Sequence, residues 1–201
     1  MSKPKTCLNA ISASLLFFAG LIPTFADSNH QQAPATWITN KWRDWPIMVD
    51  EPAGCRYNIE NPNCVLGSRV RLSRSNYDYF MFERAPGGTY LIKWYEAKKI
   101  FCLDVWRDGK GNGTPVVLWG CHGGPNQQWR WESYYKGPNK GITRLVSVSS
   151  GRCFDVENPA SVARAVLPPD NAPLQIWDCF PDKSYVHWRI NQSWEFKAWG
   201  N

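Results

Sequence analysis

Apolar and β-branched residues in this chain gather in short runs of three to five positions, each closed by a turn signal. The runs are Ile47–Val49, Val70–Leu72, Tyr90–Trp94, Val116–Trp119, Leu145–Val148 and Leu174–Trp177. Between them stand Pro52-Ala53-Gly54, Asn61-Pro62-Asn63, Pro86-Gly87-Gly88, Asp108-Gly109, Gly123-Gly124-Pro125, Pro138-Asn139 and Pro168-Pro169-Asp170. Glycine and proline punctuation at that density, around runs rich in Val, Ile, Tyr and Trp, is the pattern of short strands joined by tight turns. No segment sustains a period near 3.6 residues, so the pattern predicts an all-β chain.

The runs also repeat. The stretch Ile100–Trp131 holds Cys102-x-Asp104-Val105, then Val116-Val117-Leu118-Trp119-Gly120-Cys121, then Asn126-Gln127-x-Trp129. Downstream, GRCFDV with Cys153 and Asp155 and LQIWDC with Gln175, Trp177 and Cys179 restate it, and Tyr185-Val186-His187-Trp188 falls where the Asn-Gln-x-Trp belongs. Upstream, Gly54-Cys55, GSRVRLS over Gly67–Ser73 and Tyr77-Asp78-Tyr79-Phe80 form a weaker copy. Similar leads, GTYLIKW from Gly88 and GITRLVS from Gly141, enter the second and third copies, and Cys55, Cys102 and Cys153 set a period of about 50 residues. One unit of four short strands cannot bury its own apolar face. Three units around a pseudo-threefold axis close a barrel and remove the sheet edges.

The N-terminal segment has a different character. Lys3 and Lys5, an apolar stretch from Leu15 to Ile22 and the small-residue site Thr24-Phe25-Ala26 predict a signal peptide over residues 1–26 and hence a secreted or periplasmic protein. Residues 27–45 read as a polar, then Trp-rich leader able to cover an open end of the domain, and residues 46–201 as the domain itself. No stretch is long enough to form a transmembrane span. Signal removal takes Cys7 and leaves six cysteines, an even set that in an exported chain favours disulfides. Near-equal spans within the repeat suggest Cys102–Cys121 and Cys153–Cys179, with Cys55–Cys64 left over.

Cys-x-Asp-Val, V-x-L-W-x-C and N-Q-x-W, repeated in an exported chain, resemble the ricin B-type lectins, β-trefoils with QxW repeats. The resemblance covers about Ile47–Trp199 and is strongest in the second copy. It implies a β-trefoil, one disulfide per repeat and up to three shallow sugar sites. In the family the pocket is built from the aspartate of Cys-x-Asp, the tryptophan before the second cysteine and the Asn-Gln pair. Those positions here are Asp104, Trp119, Asn126 and Gln127. The chemistry suits a galactose-type glycan: the carboxylate accepts sugar hydroxyls, the amides donate and accept, and the indole faces the C–H side of the ring. Val117 stands where the family often has glutamine. Gln127 also fits a purely structural place as a polar cap, and Trp129, with Phe80 and Trp188 as counterparts, reads as core. The third copy offers Asp155, Gln175 and Trp177, with Tyr185 or His187 in place of the amides. The first copy, with Arg56-Tyr57 after Cys55 and Ser73 in the tryptophan position, offers no such pocket, and its arginines suit a protein contact.

Other chemistries find little support. With 23 basic groups, less two signal lysines, against 17 acidic ones, the mature chain carries about +4. Arg69, Arg71 and Arg74 alternate with apolar residues as one strand face would, so nucleic acid is not an expected partner. Three histidines, one of them in the leader, and cysteines committed to disulfides leave neither a nucleophilic site nor a metal or cofactor site. The reading is a non-catalytic lectin of cell-surface glycoconjugates. The alternative is a docking or scaffold subunit that binds a catalytic toxin chain, similar in design to the A and C subunits of cytolethal distending toxin. Asn112-Gly113-Thr114 and Asn191-Gln192-Ser193 match the glycan acceptor pattern.

Overall fold

A computed structural model of the chain describes residues 35–41, 43–50, 65–96, 99–134, 142–157, 168–180 and 191–198. These form twelve strands, four per repeat. The first repeat supplies β1 (Thr36–Asn40), β2 (Trp45–Asp50), β3 (Arg69–Leu72) and β4 (Phe80–Ala85). The second supplies β5 (Thr89–Glu96), β6 (Lys99–Val105), β7 (Thr114–Gly120) and β8 (Gln128–Tyr134). The third supplies β9 (Ile142–Ser147), β10 (Cys153–Val156), β11 (Leu174–Trp177) and β12 (Trp194–Ala198).

The first and fourth strands of every repeat make the barrel. Its antiparallel ring runs β1–β4–β5–β8–β9–β12 and closes where β12 pairs with β1, from Thr36↔Ala198 to Asn40↔Trp194. Closure leaves no barrel edge unpaired, which is how an all-β chain avoids sticky edges. Each remaining pair of strands, β2–β3, β6–β7 and β10–β11, is a hairpin over one end of the barrel. Contacts at Arg69↔Val117, Gln175↔Pro115 and Arg71↔Pro173 tie the three hairpins together. This is the all-β trefoil with three pseudo-repeats that the sequence predicts.

Strand alternation places one residue of each type from each repeat on the axis. Ile38, Ile92 and Leu145 come from the first strands, Ile47, Leu103 and Phe154 from the second, and Leu72, Leu118 and Ile176 from the third; all are fully buried. Phe80, Trp129 and Trp194 come from the fourth strands and are equally buried. The indole N–H of Trp129 donates to the Leu103 carbonyl (3.2 Å) and that of Trp194 to the Phe154 carbonyl (3.0 Å). Buried indoles require such a partner. Two positions further along, Phe82, Trp131 and Phe196 touch one another at ring-centroid distances of 5.5, 5.2 and 4.0 Å and form a second aromatic layer.

Three sequence expectations shift. Thr36–Asn40 lies in the segment assigned to a leader, yet it is the strand that closes the barrel. In the first repeat the residue matching Cys102 is Pro46 rather than Cys55, and Met48 matches Asp104, because Ile47↔Leu72 repeats the pairing Leu103↔Leu118. In the third, Trp194 rather than Trp188 holds the core tryptophan position, preceded by Asn191-Gln192. Asn126 follows Cys121 by five positions whereas Asn191 follows Cys179 by twelve, so a constant spacing lands on the wrong residues. Tyr185, Val186, His187 and Trp188, the signal segment and the pair Cys55–Cys64 lie outside the described residues.

Candidate functional site

In the second repeat, Asp104 lies opposite Val117 and Cys102 opposite Trp119. Leu103 and Leu118 turn into the core, so period-two alternation turns these four residues outward together. Cys121, just past the end of β7, is bonded to Cys102 and fixes that end of the hairpin. The chain then turns through Gly123 and Gly124 into Pro125–Gln127, which brings Asn126 and Gln127 under the hairpin.

Asp104 is only 3% exposed, and its Oδ2 gathers the donors. Asn126 Nδ2 and Gln127 Nε2 each donate to it at 2.9 Å, and His122 Nε2 lies 3.4 Å away. His122 Nδ1 accepts the Gly124 N–H at 3.0 Å, which assigns the ring proton to Nε2, facing the carboxylate. Burial pushes the Asp104 carboxyl above the usual range, while Gln127, Asn126 and His122 pull it back. No described residue donates to Oδ1. It is the acceptor left over, on the hairpin face that also carries Trp119, whose indole is 36% exposed.

Gln127 has a different duty from the one expected of it. It is fully buried. Its Oε1 accepts the His122 and Gly123 N–H groups at 2.8 and 3.1 Å, and its Nε2 donates to Asp104 and to the Gly120 carbonyl, each at 2.9 Å. Both ends of the amide are committed, so Gln127 braces the carboxylate and the loop and has nothing left to offer a sugar. This corrects its assignment as a sugar contact in favour of the polar-cap alternative.

The third repeat reproduces the arrangement. Asp155 lies opposite Gln175 and Cys153, bonded to Cys179, lies opposite Trp177. Gln192 plays the part of Gln127: Nε2 donates to Asp155 Oδ2 and the Asp178 carbonyl, each at 3.0 Å, and Oε1 accepts the Phe180 N–H at 3.1 Å. Sequence reasoning placed Tyr185-Val186 in these positions; the direct signal, Asn191-Gln192-Ser193-Trp194, was present as a second N-Q-x-W. Gln175 Nε2 donates to Asp155 Oδ1 at 3.0 Å, so here both carboxylate oxygens face neutral amides. With 2% exposure and no cation beside it among the described residues, the Asp155 carboxyl is pushed up to about 7, first by burial, with Glu157 adding a smaller like-charge push. Trp177 is 38% exposed.

Among the described residues the first repeat has no equivalent set. Met48 and Ser73 hold the carboxylate and tryptophan positions, Arg71 holds that of Gln175 and is paired with Asp50, and Asp78 accepts the Val49 N–H at 2.7 Å. Trp119 and Trp177 each pack against a glycine of the preceding repeat. Gly67, at φ +84° before β3, donates its N–H to the Leu118 carbonyl and abuts Trp119; Gly113, at φ +84° before β7, donates to the Ile176 carbonyl and abuts Trp177. Only glycine adopts that backbone freely. Of the two acceptor-pattern asparagines, Asn191 is buried, and Asn112 donates to Asp178 Oδ2 (2.8 Å) while accepting from Arg152 Nε (2.7 Å). Among the described residues no group of three or more His, Cys, Asp or Glu could hold a metal ion, and no helix is long and apolar enough to cross a membrane.

The likenesses to known proteins agree with this geometry. A designed threefold-symmetric protein, ThreeFoil, superposes with a TM-score of 0.58 at 19% identity, covering 81% of this chain and 97% of that one. A Polyporus squamosus lectin bound to the epitope Neu5Aca2-6Galb1-4GlcNAc gives 0.56 at 14% identity, covering 85% and 50%. A mosquitocidal holotoxin gives 0.55 at 16%, covering 83% of this chain but only 17% of the toxin. At such identities these likenesses establish the fold. No curated protein matches the chain in sequence. The model of the ricin-type β-trefoil lectin domain-like family matches residues 76–177, just over half of the sequence, and spans every pocket residue of the second repeat. The chain belongs to the ricin-type β-trefoil lectin domain-like family.

Proposed function

We propose that this chain is a secreted, non-catalytic lectin for galactose-type glycans, with pockets on the second and third repeats. The observation that carries the reading is an Asp104 Oδ1 that takes no donor among the described residues, next to Asn126 and on the hairpin face that also carries the exposed Trp119. A sugar hydroxyl donates to that oxygen and the C–H face of the ring lies on the indole. The amides of Gln127 and Asn126 hold the carboxylate in place, so little ordering remains for the ligand to impose. Asp155 and Trp177 hold the equivalent places one lobe away, where Gln175 already donates to Asp155 Oδ1, so the second repeat carries the main site. The galactose-containing epitope on the similarly folded fungal lectin supports the sugar class.

Each shallow pocket binds weakly, of order millimolar or about 4 kcal/mol, and two on one chain raise avidity on a multivalent surface. The test is glycan-array and calorimetric binding of the mature chain. Asp104→Ala and Trp177→Ala each remove one site, and the double variant binds nothing. A double variant that binds like the wild type, in a folded state checked by circular dichroism, overturns the reading.

A second reading, a docking subunit for another chain, rests on the first repeat. There Tyr77, 51% exposed, stacks with Trp37 and Tyr79 at 5.0 and 5.5 Å in the one lobe without pocket residues. A chain that binds no glycan but co-purifies with a partner, and loses it on Tyr77→Ala, favours that reading.

A further inference from the structure

Next to the second pocket stands an arm that neutral-sugar chemistry leaves unused. After Val105 the chain turns through Trp106–Asp108, with Arg107 and Asp108 both in the left-handed region at φ 52° and 53°. Residues with a Cβ adopt that conformation only where the surroundings hold it. The turn sets Trp106 against Trp119, with ring centroids 5.5 Å apart and planes at 75°. Gly67 of the first repeat lies against both indoles: a Cβ there would be 3.6 Å from Trp106 Cζ3 and 4.0 Å from Trp119 Cζ3. The Arg107 guanidinium lies over the Trp106 ring, 5.2 Å from its centroid.

Its charge has no carboxylate partner among the described residues. The adjacent Asp108 is taken by Lys110, whose ammonium holds that carboxyl below the usual range. Asp104, Trp119, Trp106 and Arg107 thus follow one another as acceptor, platform, second ring and unclaimed cation.

We propose that Trp106 and Arg107 form a second subsite for an anionic group, a carboxylate or a sulfate ester, on the sugar joined to the one docked at Asp104 and Trp119. This inference rests on the lectin reading and names the glycan class of that same pocket. A guanidinium presents a planar fork of N–H donors that matches such oxyanions, and stacking on an indole leaves the fork facing solvent while fixing its plane.

The experiment titrates lactose, 3′-sialyllactose and 3′-sulfolactose into the mature chain carrying Trp177→Ala, which leaves the second pocket alone. The expected result is about tenfold tighter binding of an anionic trisaccharide or sulfated disaccharide than of lactose, ~1.4 kcal/mol, shrinking as salt is added. A gain with sialyllactose alone identifies the carboxylate, with sulfolactose alone the sulfate, and with both a general oxyanion site. Arg107→Ala erases the gain and leaves lactose affinity unchanged; Arg107→Lys keeps part of it. Equal affinities for the three probes, or an Arg107→Ala that weakens all three alike, overturns the subsite and leaves the lectin reading standing. Anionic binding that survives Asp104→Ala detaches the arm from the pocket and overturns the proposal too. Binding of none of the three sinks both.

Discussion

Asp155 should make this protein more stable in mild acid than at neutral pH, against the usual behaviour of a surface carboxylate. Among the described residues its oxygens face only the amides of Gln175 and Gln192, each at 3.0 Å, and it is almost sealed from water. Neutral donors do not replace the lost hydration, and its carboxyl is pushed up to about 7. An unfolded aspartate titrates near ~3.9, so between about pH 4 and 7 the folded chain keeps a proton that the unfolded chain releases. Stability therefore falls as pH rises through that window and is level above it. The gap corresponds to about 4 kcal/mol in full, and to ~2–3 kcal/mol between pH 5 and 8. Urea unfolding of the wild type and of Asp155→Asn at pH 5, 6, 7 and 8 measures it. Asp155→Asn removes the titration and flattens the slope by that amount; the Gln175 amide can turn to present its oxygen, while Gln192 is held by Phe180 and Asp178. Asp108, whose carboxyl Lys110 depresses, acts in the opposite sense only below about pH 4, outside the window. A wild type that loses stability from pH 8 to 5, or an Asp155→Asn chain with an unchanged slope, would show the burial argument to be wrong.

Two other perturbations separate scaffold from ligand contact. Gln127→Leu strands the His122 and Gly123 N–H groups and the Gly120 carbonyl, at about 1–3 kcal/mol for each group left unsatisfied, so both denaturation midpoint and sugar binding fall. Asn126→Ala, next to it but only partly buried, lowers binding in the second pocket while moving the midpoint by less than about 1 kcal/mol. Replacing Cys102 and Cys121 by alanine opens a 19-residue loop and costs about 3 kcal/mol, read by the same unfolding experiment.

The barrel, the two described disulfides and the grouping of Asp104, Asn126 and Gln127 could be read from the chain because the second repeat keeps its spacings. Cys102 to Trp129 contains every landmark at short range, and strand alternation sorts Asp104 and Trp119 to one side and Leu103 and Leu118 to the other. The third repeat hid its final strand behind a longer connection after Cys179, so a fixed spacing overrode the plainer match at Asn191-Gln192-Ser193-Trp194. The first repeat misled through Cys55: a cysteine is a conspicuous landmark, but the register at Ile47↔Leu72 is set by core packing, and Met48 leaves no trace of an acidic position. Thr36–Asn40 sits in the Trp-rich WITNKWRDW, which shows no clear period, so only its pairing with β12 reveals it as a strand. The role of Gln127 could not be read at all, since a brace and a sugar contact call for the same amide, and only burial tells them apart.

The glycines at positions 67 and 113 give the three lobes unequal obligations. Because each abuts the indole of the following lobe, a side chain added in one lobe presses on the tryptophan of its neighbour. The first lobe thereby backs the tryptophans of the second: if Trp119 is a sugar platform, Gly67→Val, far along the chain from Asp104, should blunt recognition there.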